Sequence, residues 1–261
     1  MESLSKTRIW TLRAAFLAFV LIVWELSSGR LTSEFFISRP SAIAEQFVAW
    51  VISGTIFYHG AITLVEAVCG FLLGGIIGMS FGVWLGRAEL VAEVLDPFIM
   101  MFYSLPKVAL APLFVLWFGI GMDMKIFLTA TIVFFLVFLN TYTGVRAVSR
   151  EQIAILKLMG ATERHVLFKV VLPSAITWVF TGLRLSVPYA LIGAIVGELI
   201  ASNRGLGYLL ANSAGQFDTT GVFAALIGIM IMAFCLNAIV KLVERKSMPW
   251  RDTESEREMS I

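Results

Sequence analysis

Charge is scarce in this sequence. Asp, Glu, Lys and Arg make up 15% of the 261 residues, and hydrophobic residues make up 59%. Soluble domains carry about 25% charged residues, so lipid must solvate most of this chain. Cysteine and histidine are scarcer still. Cys69 and Cys235 lie inside apolar runs, and His59 and His165 stand far apart. Neither pair has the spacing of a metal site or a disulfide framework, so no metal is expected. No G-x-x-x-x-G-K-[ST] run occurs, so the chain holds no nucleotide of its own in a P-loop. The apolar runs do not alternate with polar residues, which excludes a β-barrel. The net charge of +2 is unremarkable, and no nucleic-acid partner is expected.

Two short runs imitate catalytic motifs. Gly78-Met79-Ser80-Phe81-Gly82 fits G-x-S-x-G, but that motif needs a strand–turn–helix context and here falls inside an apolar helix pattern. Ser104-Leu105-Pro106-Lys107 fits S-x-x-K without the S-D-N or K-T-G runs that accompany it. No catalytic residue is expected.

What the chain does have is long apolar runs. At roughly 20 residues per crossing there is room for five or six spans. The pattern predicts an all-α integral membrane protein with six transmembrane helices, at residues 10–26, 62–85, 97–118, 126–140, 174–200 and 222–243. The first run has a basic flank but no small-residue cleavage site, so a retained helix is expected. A short amphipathic helix is predicted at 42–52, with Ser41 as N-cap and Ile43, Phe47, Trp50 and Val51 on its apolar face. Residues 87–96 and 201–220 read as loops, and 119–125 as a tight turn. Gly70, Gly74, Gly78, Gly82 and Gly86 recur every four residues. That spacing sets them on one helix face, where another backbone can approach closely. Pro106 and Pro112 kink or interrupt the third span. Such a break is tolerated at membrane depth only against protein or a cavity.

One stretch, 146–173, is a polar and basic island. Ile153, Leu156, Leu158 and Met159, then Val166, Leu167, Val170 and Val171, alternate with charges, and Gly160-Ala161 divides the run. This predicts two short amphipathic helices that lie at a membrane surface or against a partner, ended by Leu172-Pro173. Lys and Arg counts place it. With both termini in the cytoplasm, fourteen fall inside and four outside, the latter being Arg30, Arg39, Lys125 and Arg204. Ionisable residues at membrane depth are Glu66, Lys107, Arg184 and Glu198. Each either pairs structurally or lines a solute path. Tyr103, Ser104, Lys107, Asn140, Arg184 and Glu198 are the candidate path residues.

The island resembles the cytoplasmic motif of permease subunits of bacterial ABC importers, E-A-A-x-x-x-G, nine residues, then I-x-L-P. Gly160 is followed by nine residues, Ala161 to Lys169, and then Val170, Val171, Leu172 and Pro173. The E-A-A positions depart, holding Ala154, Ile155 and Leu156. The runs Thr181-Gly182-Leu183-Arg184-Leu185, Gly197-Glu198-Leu199-Ile200-Ala201-Ser202 and Arg204-Gly205-Leu206-Gly207-Tyr208 are similar to those of permeases for taurine, alkanesulfonates and nitrate. So are Leu95-Asp96-Pro97 and the run from Ala111 to Gly121.

The resemblance implies a type I importer permease fold. The regions would be a first helix with an external interfacial helix (1–56), a permease core (57–246) and a cytoplasmic tail (247–261). It further implies an inner-membrane homodimer, two ABC ATPase subunits that bind the ATP and magnesium, and an external substrate-binding protein. The ATPase would be contacted through Gly160, Ala161, Thr162, Glu163, Arg164, His165, Phe168, Lys169, Leu172 and Pro173. An aliphatic sulfonate is the expected solute. Nitrate, a thiamine precursor, riboflavin or an aromatic carboxylate would suit the same class. A proton-coupled secondary transporter and, more remotely, a membrane-embedded hydrolase using Ser80 or Ser104 are the alternatives.

Overall fold

The computed structural model describes residues 6–30 and 33–247, so all but the first residue of the expected tail lies outside the described residues. The chain runs through α1 (Lys6–Ser27), α2 (Pro40–Ile52), α3 (Thr55–Arg87) and α4 (Glu89–Ser104). A 3-10 turn (Lys107–Leu110) leads to α5 (Ala111–Phe118) and α6 (Met122–Arg146). Next come α7 (Arg150–Leu158), α8 (Glu163–Val166), a π turn (Leu167–Val171) and α9 (Leu172–Ile200). The last are α10 (Leu206–Gly215) and α11 (Thr219–Ser247). Five stretches are long and apolar enough to cross a membrane, and α4 with the segment Lys107–Phe118 forms a further, broken one bent by 83°.

The core is α3 against α6. A Cβ added to Gly70 would meet Thr129, and one added to Gly74 the Ala130 carbonyl oxygen. Gly78, Gly82 and Gly86 would meet Phe134, Thr141 and Val145 in turn. The two helices therefore approach backbone to backbone, which is how association proceeds where lipid removes the hydrophobic drive. Both sets of numbers rise together, so α3 and α6 run parallel. The chain must cross back between them, and the broken α4–α5 pair does so. Gly182 faces Asn140 while Gly197 faces Lys125, so α9 runs antiparallel to α6 on its other flank. Gly228 of α11 faces Ile56, and Met232 lies against Gly60, so α11 runs parallel to α3.

Several local expectations are corrected. Residues 89–96 are helical, because Val91, Leu95 and Ile99, four apart, pack on Leu85, Ala92 and Phe138. Pro97 lies inside α4 rather than opening it. Of the two outcomes expected for the third span, kink or interruption, the structure shows the interruption: Pro106 lacks the N–H that would continue α4, and Pro112 sits in the first turn of α5, where proline is tolerated. Met122 to Lys125 belong to α6, and α10 occupies part of the stretch read as loop 201–220. Pro173 does not end the island. The helix passes from α8 into α9 through the π turn, where Leu172 N–H bonds to the Leu167 carbonyl. A π register relieves the ladder beside a proline that cannot donate. Ser41 does not cap α2. Arg39 holds the cap position with Pro40 after it, and Ser41 instead donates from both N and Oγ to the Glu25 carboxylate at 3.0 and 2.7 Å.

Candidate functional site

The island folds into a compact bracket. Ser149 Oγ accepts from Gln152 N at 3.2 Å, capping α7, and donates to Glu151 at 2.6 Å. That donation holds the Glu151 carboxyl below its ordinary pKa. At the other end Ala161 N–H reaches the Leu156 carbonyl and Gly160 N–H the Lys157 carbonyl, both at 3.0 Å. This is a Schellman closure, and it requires a left-handed residue at its corner. Gly160 supplies it at φ +80°. Thr162 then caps α8, accepting from His165 N at 3.4 Å, while His165 Nδ1 reaches back to Thr162 N.

Apolar burial holds the bracket to the bundle. Val145, Val166, Val171 and Ala175 are buried together, with Val83, Ile153, Leu156, Ala161 and Leu167 around them. Burying one such valine is worth roughly 1.5–3 kcal/mol. Glu163 adds charge contacts, to Arg87 of α3 and Lys157 of α7, each at 2.7 Å. Both pairs are half-exposed, so solvent screens them and each adds little. Burial therefore fixes the bracket, and charge sets its angle to α3. The outer side is unsatisfied: Leu158 and Met159, at the Gly160 corner, are 88% and 78% exposed. Phe168 is exposed too, with the Arg164 guanidinium 5.9 Å from its ring centre.

At the far end of the bundle lies a buried polar cluster. Lys125 and Glu66 form an ion pair at 3.0 Å, with side chains 3% and 0% exposed, and Lys125 also donates to Ser202 Oγ at 2.8 Å. Glu198 is buried, accepting from Thr63 Oγ1 and from Gly207 N, both at 2.6 Å. Its carboxylate fills the space that a Cβ on Gly205 or Gly207 would need. Lys125, Thr63 and Ser202 escaped the sequence reading; a lysine at the edge of an apolar run, with Glu66 deep in another, was the available signal.

The remaining path candidates are split. Tyr103, Ser104 and Lys107 stand together at the break after α4, where Ser104 Oγ donates to the Met100 carbonyl at 2.8 Å. Asn140 lies on α6, its amide donating to the Leu136 carbonyl at 2.8 Å. Arg184 is on the exposed side of α9, and Glu198 is in the cluster at the far end. The structure brings the first three together and leaves the others apart.

Residues 70–248 match the family of binding-protein-dependent transport system inner membrane components. The chain belongs to that family. The match covers α3 from Gly70 onward, α6, the bracket, α9 and α11. The permease is 32% identical over 247 residues to the taurine transport system permease protein of Escherichia coli, covering 92% of this chain and 90% of that one. It is equally identical over 237 residues to a Bacillus subtilis permease named for aliphatic sulfonates transport, over 90% and 86% of the two chains. Identity is again 32% over 237 residues to the formylaminopyrimidine transport permease protein of Halalkalibacterium halodurans, over 90% and 94%. A crystal structure of an amino acid ABC transporter superposes with a TM-score of 0.61 at 16% identity, covering 77% of this permease and 98% of that chain. The fold is that of type I ABC importer permeases, and the permease is a transport component rather than an enzyme.

The far-end cluster explains why the permease can fold α10 out of a glycine-rich run. Its first amides are captured one after another: Gly205 N by His59 Nδ1 at 2.9 Å, Leu206 N by Thr63 Oγ1 at 2.8 Å, and Gly207 N by Glu198. These are the orphan donors of a helix start, satisfied by side chains of α3 and α9.

Proposed function

We propose that this permease forms, with a second copy of itself, the membrane path of an ATP-driven importer for a small organic anion, with an aliphatic sulfonate such as taurine as the leading solute. Two ABC ATPase subunits, which bind the ATP and magnesium, dock on the bracket in the cytoplasm. A binding protein delivers solute at the opposite face. The observation that carries this reading is the Gly160 corner, which thrusts Leu158 and Met159 outward from a bracket otherwise closed by its own caps. An apolar knob on a rigid cytoplasmic bracket needs a groove to enter, and a chain with no P-loop needs its free energy from outside. ATPase closure would draw two such brackets together and switch the bundle pair between two states. Both chain termini lie in the cytoplasm in this reading.

Gly160→Val tests it. A β-branched residue cannot hold φ +80°, so the corner should open. ATP hydrolysis should persist while uptake falls; uptake at the wild-type level would refute the docking role. Uptake that survives without ATP and collapses with the proton gradient would instead favour a secondary transporter. The formylaminopyrimidine relative, as similar as the sulfonate ones, supports a second reading in which the solute is a thiamine precursor. Binding measurements on the partner protein, with taurine, ethanesulfonate, nitrate, benzoate, riboflavin and a formylaminopyrimidine, decide between them.

A further inference from the structure

The third crossing breaks at Pro106, and Lys107 is the first residue past the break. Leu105 leaves α4 in extended conformation, at φ −66° and ψ 134°, and the chain turns by 83°. The ammonium of Lys107 sits 4.7 Å from the ring centre of Tyr103 and 4.6 Å from that of Phe135 on α6. It donates to the Tyr103 carbonyl, which takes one of its three donors. No carboxylate among the described residues pairs with it.

The chain treats Lys125 differently. Lys125 has both Glu66 and Ser202 within 3.0 Å. Two aromatic faces attract a cation through their quadrupoles but leave its charge unneutralised. A cation at membrane depth without an acid partner faces the bundle interior or a wet cavity and marks a solute path. The walls around it are open on this chain: Tyr103, Leu105 and Val108 are 43%, 44% and 42% exposed. They are also largely apolar, and in such surroundings a charge-assisted hydrogen bond is stronger than in water.

We propose that Lys107 is an anion-binding residue of the solute path, its two free N–H groups taking oxygens of a small organic oxyanion, a sulfonate or a carboxylate. The inference rests on the importer reading above and gives it a residue for the charge of its solute. The aromatic pair holds the ammonium at the break and, being uncharged, does not compete for it.

The test has two arms. The full-length permease in lipid nanodiscs is treated with an amine-modifying reagent, and modification at Lys107 is followed by mass spectrometry. Ethanesulfonate is expected to slow it by roughly tenfold, the scale of a charge-assisted hydrogen bond, whereas the neutral dimethyl sulfone should not. An acetate arm separates a general oxyanion site, protected by both, from a sulfonate-selective one. Equal rates with and without both anions overturn the proposal. In the second arm, proteoliposomes carry the permease with its ATPase and binding proteins, and co-purification of the ATPase is checked for each variant. Lys107→Gln should lower uptake of the delivered anion by about tenfold, and Lys107→Arg should restore most of it. Undiminished uptake in the Gln variant overturns the proposal while leaving the importer reading intact. Protection at Lys107 in a permease whose complex moves no anion would sink the importer reading and leave the site standing.

Discussion

A single buried pair shows how residue chemistry constrains this bundle. Lys125 and Glu66 are shielded almost wholly from solvent and lipid. Truncating one leaves the other charged without a counter-ion, which costs about 3–5 kcal/mol, whereas replacing both by apolar residues of similar size is close to neutral. Glu66→Leu should therefore lower the melting temperature of the detergent-solubilised permease sharply, and adding Lys125→Met should recover most of the loss. A double variant no better than the single would show that Glu66 matters for something besides this lysine. The glycine face obeys a steric version of the same logic. A Cβ on Gly74 would collide with the Ala130 carbonyl oxygen, which is backbone and cannot swing away, while one on Gly215 would meet nothing within 4 Å. Gly74→Ala should destabilise by about 1–3 kcal/mol, and Gly215→Ala should leave the melting curve where it is.

Among elements, the bracket and α3 are joined through Glu163, which spends one carboxylate oxygen on Arg87 and the other on Lys157. Glu163→Arg would set three cations together at that joint. Amides of α8 should then exchange with deuterium faster, and Arg87→Glu in the same chain should slow them again; failure of the swap to slow them would mean that burial alone orients the bracket. The bracket's outline was legible in sequence because its signals are local: a glycine corner and periodic apolar residues among charges. The glycine face of α3 was legible for the same reason, since a period of four needs no partner to be seen. Elements that rest on distant residues were not. Nothing near Gly205 announces a helix start, because His59, Thr63 and Glu198 supply its caps from two other helices. Lys125 read as a loop charge because its partner Glu66 is 59 residues away. The start of α4 was lost because Pro97 resembles a first-turn proline, and the partners that pack its preceding turn, Leu85 and Phe138, belong to other helices.

At the scale of the whole molecule, the parallel run of α3 and α6 fixes which ends share a side. The bracket joins the ends of α6 and α9 that lie near Arg87, while α2 and α10 lie at the opposite end with the starts of α3 and α11. The end of α1 belongs there too, since Trp24 packs on Phe223 and donates to the Ser38 carbonyl at 2.9 Å. As spans, α1 and α11 therefore place their other ends on the bracket side. The proposed orientation, with the bracket side in the cytoplasm, rests on charge, and the geometry bears on the count. Lys125 is an interior ion pair rather than a loop cation, so in the proposed orientation only Arg30, Arg39 and Arg204 would lie outside against fourteen Lys and Arg inside. Translocation of positive loops is disfavoured, so that bias sets orientation. In a background with Cys69→Ala and Cys235→Ala, a cysteine at position 204 should react in intact cells with a membrane-impermeant maleimide, and one at position 157 only after the membrane is opened. The reverse pattern would put the bracket outside, beyond reach of any ATP-binding partner, and the docking of an ATPase on Leu158 and Met159 would fall with it.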